Sequence, residues 1–174
     1  DKEGNIVLME AVRHSDLNVL KLILNNTKNI NQVNLKGTSA LAQAVAYGSP
    51  EVVSFLLNNK ANSNVVDKDG NNLAYYLVQS YQPLKDGQKN DFAEKLTIIK
   101  NAGVNFAAPQ QDGNSIYHIA VAKNDVNLLK QLDGLNINID TKNNEGFTAL
   151  HKAALVAKDD TVLKYLVTNA ALCN

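Results

Sequence analysis

The sequence predicts a mostly α-helical solenoid, built of stacked helix pairs joined by β-hairpin-like loops, and three observations carry that prediction. Five glycines, Gly4, Gly37, Gly70, Gly113 and Gly146, recur at spacings of 33, 33, 43 and 33 residues. The text around each glycine recurs with it, as DKEGNIVLMEAV, NLKGTSALAQAV, DKDGNNLAYYLV, QQDGNSIYHIAV and NNEGFTALHKAA. A second apolar run then follows in each unit: VLKLIL, VVSFLL, LTIIK, LLKQL and VLKYLV. Two short helices cannot bury their apolar stripes alone, so each pair must lie on its neighbours in a one-dimensional stack.

Each unit opens on a turn. Asp, Lys and Gln before the glycine favour a tight hairpin, and the glycine itself tolerates the positive φ such a turn needs. Ser39, Asn72, Ser115 and Thr148 follow two residues later, where a first helix wants its N-cap, and Ile6 breaks the rule in the first unit. A large side chain comes four positions after the glycine (Leu8, Leu41, Tyr117, Leu150), and a small one seven after (Ala11, Ala44, Ala120, Ala153). The third unit inverts the two with Ala74 and Leu77, a volume-conserving exchange that a core tolerates. Asp16, Ser49 and Asp125 announce the second helices, Pro50 is pre-set for a first helical position, and Asp159-Asp160 suits the start of the last helix. The units close on Asn31, Asn64, Asn105, Asn138 and Asn174. The expected repeats are 1–33, 34–66, 67–109, 110–142 and 143–174, forming one domain over 1–174. The third repeat holds a ten-residue insertion near 81–90, marked as a loop by Pro83, Gly87 and polar neighbours. Solenoids tolerate such insertions between helices; the functional reading is that Tyr81 and Leu84 add a contact to a partner or neighbouring domain.

These motifs resemble the ankyrin repeat family, whose period is 33 and whose core text is T-P-L-H-x-A. Thr148-Ala149-Leu150-His151-Lys152-Ala153 comes closest, followed by Ser115-Ile116-Tyr117-His118-Ile119-Ala120. The family's proline is replaced in every copy, by Val7, Ala40, Leu73, Ile116 and Ala149. Its histidine stands only at His118 and His151. The resemblance implies a structural role for both rings, hydrogen-bonded to backbone near the hairpin. It also implies a concave groove, lined by hairpin tips and the exposed side of the first helices, that binds a protein partner.

Composition mainly excludes. The chain of 174 residues and 18.9 kDa carries 17 basic and 17 acidic side chains, so its formal net charge is zero. That removes the electrostatic term that dominates nucleic-acid binding and gives no attraction to an anionic membrane. Arg13 is the one arginine, so reading of phosphate or base edges by an Arg cluster is disfavoured. The lone cysteine, Cys173, permits neither an internal disulfide nor a Cys/His zinc pattern. The glycines follow the repeat and form no phosphate cradle, and neither GxSxG nor HExxH occurs. His118 and His151 sit one period apart, about 10 Å between packed helices, too far to share one zinc ion. Apolar runs such as Leu20–Leu24 are too short to span a bilayer. The expectation is a non-catalytic protein without cofactor or metal, monomeric and intracellular, binding neither nucleic acid nor membrane.

The binding residues are sought where chemistry varies from unit to unit, because packing does not constrain those positions. Beside the glycines stand Lys2, Glu3, Leu35, Lys36, Lys68, Asp69, Gln111, Asp112, Asn144, Glu145 and Phe147. On the first helices, positions six, nine and ten after the glycine supply Tyr76, Arg13, His14, Tyr47 and Lys123. Position six (Glu10, Gln43, Tyr76, Ile119, Lys152) is expected to see water. Exposed aromatic side chains are favoured as interface anchors, which singles out Tyr47, Tyr76 and Phe147. A regulatory or targeting module of a larger protein is the alternative reading. The initial Asp1 and the apolar last helix at 162–167 lead to the expectation that the sequence is part of a longer chain.

Overall fold

The computed structural model describes residues 2–14 and 16–173, the backbone alone at 170–173; of the expected closing asparagines, Asn174 lies outside the described residues. Two compact units, Asp1–Asn105 and Phe106–Asn174, are distinguished. The first holds three helix pairs: α1 (Val7–Ala11) with α2 (Leu17–Asn25), α3 (Ala40–Tyr47) with α4 (Pro50–Asn58), and α5 (Leu73–Gln79) with α6 (Asp91–Asn101). Within it α3 packs between α1 and α5, and α4 packs on α6. The second unit holds α7 (Ile116–Val121) with α8 (Val126–Leu132), and α9 (Ala149–Val156) with α10 (Thr161–Cys173). There α9 packs on α7, and α10 on both α8 and α9. Among the described residues the only extended pairing is a single antiparallel bridge, Val33 to Ser39, at one hairpin. Within each unit the fold is therefore the stack of helix pairs that the periodicity predicts.

The local reasons for these helices are those read from the sequence. Ser39, Asn72, Ser115 and Thr148 accept from the backbone N–H of Ala42, Ala74, His118 and His151, while Ile6 offers α1 no cap. Asp16, Ser49 and Asp125 cap α2, α4 and α8 in the same way. Each such cap contributes about 1 kcal/mol to a helix too short to form unaided. Asn90 caps α6 through Ala93, so the end of the insertion is also the start of a helix. Ala74 and Leu77 are both buried, as a compensated exchange requires.

The insertion folds back on its own repeat. Tyr81 is buried and meets Phe92 of α6 edge-on, with ring centroids 5.3 Å apart. Lys89 Nζ lies 3.2 Å from both Glu51 Oε1 and Glu94 Oε2, joining the loop to α4 and α6. Of the two side chains considered for an outside contact, Leu84 is exposed and Tyr81 is committed to internal packing. Beneath them Lys95 is buried, its Nζ donating to the carbonyls of Val45 (2.8 Å) and Gly48 (3.2 Å) at the end of α3. Burial holds its ammonium below the usual lysine range.

Candidate functional site

Three of the hairpin tips are each organised by one side chain. Asn34 Oδ1 accepts from the backbone N–H of Lys36 and Thr38 at 3.0 and 2.9 Å. Asp67 Oδ1 accepts from Asp69 and Asn71 at 3.0 and 2.9 Å, and Asn143 Oδ1 from Glu145 and Phe147, both at 3.0 Å. Around this centre the backbone N–H of residue 34, 67, 110 or 143 donates to the carbonyl four residues on, closing the turn over the glycine. Two N–H groups that a short loop leaves unpaired are thus satisfied by a single acceptor. Sequence reading did not single out Asn34 or Asn143; the signal was the recurrence of Asn or Asp three residues before the glycine.

The tips are also tied to one another. The N–H of Leu35 donates to the Glu3 carbonyl at 2.9 Å, that of Lys68 to Lys36 at 3.0 Å, and that of Asn144 to Asp112 at 2.9 Å. Asn34 Nδ2 donates to Asn5 Oδ1 (2.9 Å) and Asn143 Nδ2 to Asn114 Oδ1 (3.0 Å), repeating one contact in two places. The exposed side chains at these tips thus project from backbone that is held in place. In the first unit Tyr76 adds a bridge: its hydroxyl donates to Asp67 Oδ2 at 2.7 Å, and Thr38 Oγ1 lies 2.9 Å from it. The phenol has one proton, which goes to the carboxylate, so Thr38 is the donor in the second bond. Burial, with the Asp67 carboxylate beside it, holds the Tyr76 phenol well above its ordinary range.

The tips and first helices of the first unit frame a polar cleft of about 780 Å³. Of the predicted residues it contains Glu3, Arg13, Lys36, Tyr47, Asp69 and Tyr76. Arg13 Cζ lies 4.3 Å from the centroid of the Tyr47 ring, which is 58% exposed. Such a cation–π contact fixes the orientation of a long and a flat side chain at once. Arg13, Glu3 and Lys2 also line a neighbouring hollow of about 450 Å³ with Gln43. His14, Leu35 and Lys68 are exposed and line neither. The cleft adds Tyr75, Gln79, Ser80 and Gln82, which were not among the predicted set. Gln79 and Ser80 occupy the same helix positions that nominated Arg13 and Tyr47.

In the second unit Gln111, Asp112, Asn144 and Glu145 are exposed at the hairpins, and Lys123 is half-buried. Phe147 is partly exposed, its ring centroid 6.1 Å from that of His151. Position six does not uniformly see water: Ile119 is buried, and Tyr76 is half-buried with its hydroxyl bonded to two hairpins.

His118 and His151 each hold the start of their own helix. His118 is fully buried; its Nδ1 accepts from the Ser115 N–H at 3.0 Å and its Nε2 donates to the Phe147 carbonyl at 2.7 Å. His151 Nδ1 accepts from the Thr148 N–H at 3.1 Å. Among the described residues no group of three or more His, Cys, Asp or Glu side chains is placed to hold a metal ion, and no helix is long and apolar enough to cross a membrane.

No curated protein matches the chain. Residues 8–84 match the family model described as ankyrin repeats, in 3 copies. The matched stretch carries the first helix pairs and the Asn34 and Asp67 hairpins, and the Asn143 hairpin repeats the same bonds further along. With this periodicity, these capped helix pairs and that match, the chain is similar to the ankyrin repeat family over residues 8–84.

Proposed function

We propose that this protein is a non-catalytic interaction module that binds a partner protein along the hairpin tips and first helices of its repeats. Ankyrin repeats are generally protein–protein interaction modules. The observation that carries the reading here is the cleft of the first unit, with Tyr47 exposed under the Arg13 guanidinium. A pre-oriented aromatic ring beside a bidentate donor has the composition of an interface anchor, and it loses little side-chain entropy on binding. Glu3 and Asp69 line the same cleft as Arg13 and Lys36, so the partner presents both signs of charge at its rim.

The test is affinity purification from lysate of the source organism with the wild type, Tyr47→Ala and Arg13→Ala, with captured proteins identified by mass spectrometry. The reading expects particular proteins to be recovered by the wild type and lost with both variants, at unchanged unfolding midpoints. Equal recovery per folded molecule would remove the cleft from the binding site.

A further inference from the structure

In the cleft of the first unit, the two carboxylates of the third repeat are in different states. Asp67 is fully engaged: its Oδ1 takes the N–H groups of Asp69 and Asn71, and its Oδ2 takes the Tyr76 hydroxyl and Asn71 Nδ2 at 2.7 and 3.3 Å. Those donors fill the acceptor sites of one carboxylate. Asp69 is exposed at the hairpin tip, and among the described residues its side chain forms neither a hydrogen bond nor an ion pair.

Tyr75 stands beside them, half-buried in the wall of the cleft. Its ring meets that of Tyr76 edge-on, with centroids 5.7 Å apart and planes at 87°. Tyr76 is itself tied to Asp67 and Thr38, so the Tyr75 ring rests on a support that runs back to two hairpins. Burial, followed by the charges of Asp67 and Asp69, raises the Tyr75 phenol above its ordinary range, so both carboxylates act on this one side chain. From residues 67–82 the cleft receives Asp67 and Asp69 but no lysine or arginine. Its basic lining, Arg13 and Lys36, comes from the first two repeats, with the Arg13 guanidinium over Tyr47.

Resting on the reading of this cleft as the partner site, we infer that its third-repeat end takes a lysine or arginine side chain of the partner, the alkyl stem along the Tyr75 ring and the charge at Asp69. A supported aromatic ring beside an unclaimed carboxylate attracts a cation by two separate terms, while an anion there would meet two like charges. A long basic side chain suits the place, because its stem covers the ring while its head stays hydrated beside the carboxylate. The partner's acidic groups then belong at the other end of the cleft, with Arg13 and Lys36.

The test is selection from a phage-displayed library of random linear peptides on the immobilised chain, as wild type and as Asp69→Asn. The Asp69 side chain is exposed and bonded to nothing, and asparagine is a turn former, so the variant keeps its hairpin. The expected result is a set of peptides that share a lysine or arginine at one position on the wild type and lose that preference on Asp69→Asn. A selected peptide, resynthesised with norleucine for that basic residue, should bind the wild type about fivefold more weakly by calorimetry, with a smaller difference on Asp69→Asn. A preference that survives Asp69→Asn, peptides with no shared basic residue, or a library that yields no binder overturns the inference. Tyr47→Ala separates this failure from that of the cleft. Peptides lost with Tyr47→Ala yet lacking a shared basic residue leave the cleft as the binding site, whereas peptides indifferent to both variants remove both readings.

Discussion

His118 and Phe147, 29 residues apart, are joined by a hydrogen bond of 2.7 Å from the ring Nε2 to the backbone carbonyl. The same ring accepts from the Ser115 N–H, so one buried imidazole holds the start of α7 and the hairpin of the next repeat together. The Ser115 bond requires the neutral ring, because protonation at Nδ1 would set two donors against each other.

This makes stability depend on pH in a definite direction. Burial, aided by the charge of Lys152, holds the His118 pKa below its ordinary value of 6.5, against the opposing pull of the Phe147 carbonyl. As pH falls through the unfolded value, the unfolded chain takes up a proton that the folded chain refuses. The stabilising contribution is therefore complete above about pH 6.5 and is lost below it. Urea midpoints at about pH 7.5 and about pH 5.5 should differ more for the wild type than for His118→Leu, in which the other titrating groups remain. Equal differences in the two proteins would show that the ring does not act this way.

Two glycines at equivalent turns separate backbone strain from crowding. Gly113 has φ +71° and Gly146 φ +83°, so alanine is strained at either by about 1–2 kcal/mol. A β-carbon at Gly113 would also lie 2.9 Å from Asn144 Cγ and 3.1 Å from its backbone nitrogen, whereas one at Gly146 meets nothing within 4 Å. Gly113→Ala should cost more than Gly146→Ala by about 1–2 kcal/mol, measured by urea unfolding. Identical losses would mean that the Asn144 tip moves aside at no cost.

The period of the stack was legible because each turn needs a residue that tolerates positive φ, and that need recurs with every hairpin. The caps were legible for a similar reason: Ser39, Asn72, Ser115 and Thr148 answer a local demand that lies within three residues. Lys95 was not. A lysine in a second helix reads as a solvated side chain, and only the fold brings it to the Val45 and Gly48 carbonyls, 50 and 47 residues earlier. Gly48 escaped attention because it lies off the repeat phase; a β-carbon there would stand 2.8 Å from the Val12 carbonyl oxygen. At the cleft, exposed chemistry could be read from positions that vary between units, but the bonds that hold Tyr76 could not. Its partners Thr38 and Asp67 belong to two successive hairpins, and their approach is a consequence of stacking.

Tyr76 is accordingly a support for the cleft as well as part of its wall. Removing its hydroxyl in Tyr76→Phe deprives Asp67 Oδ2 of a donor at 2.7 Å and Thr38 Oγ1 of its acceptor at 2.9 Å. The expected cost is about 1–2 kcal/mol, the range for a part-buried bond to a charged acceptor together with the partners it strands. Thr38→Val breaks one of the same two bonds, so the double variant should lose less than the sum of the singles. Urea unfolding of the four proteins measures that coupling. Strict additivity would mean that the hydroxyl, the threonine and the carboxylate do not act as one chain of hydrogen bonds, and Tyr76 would then be left with its ring alone as its contribution to the cleft.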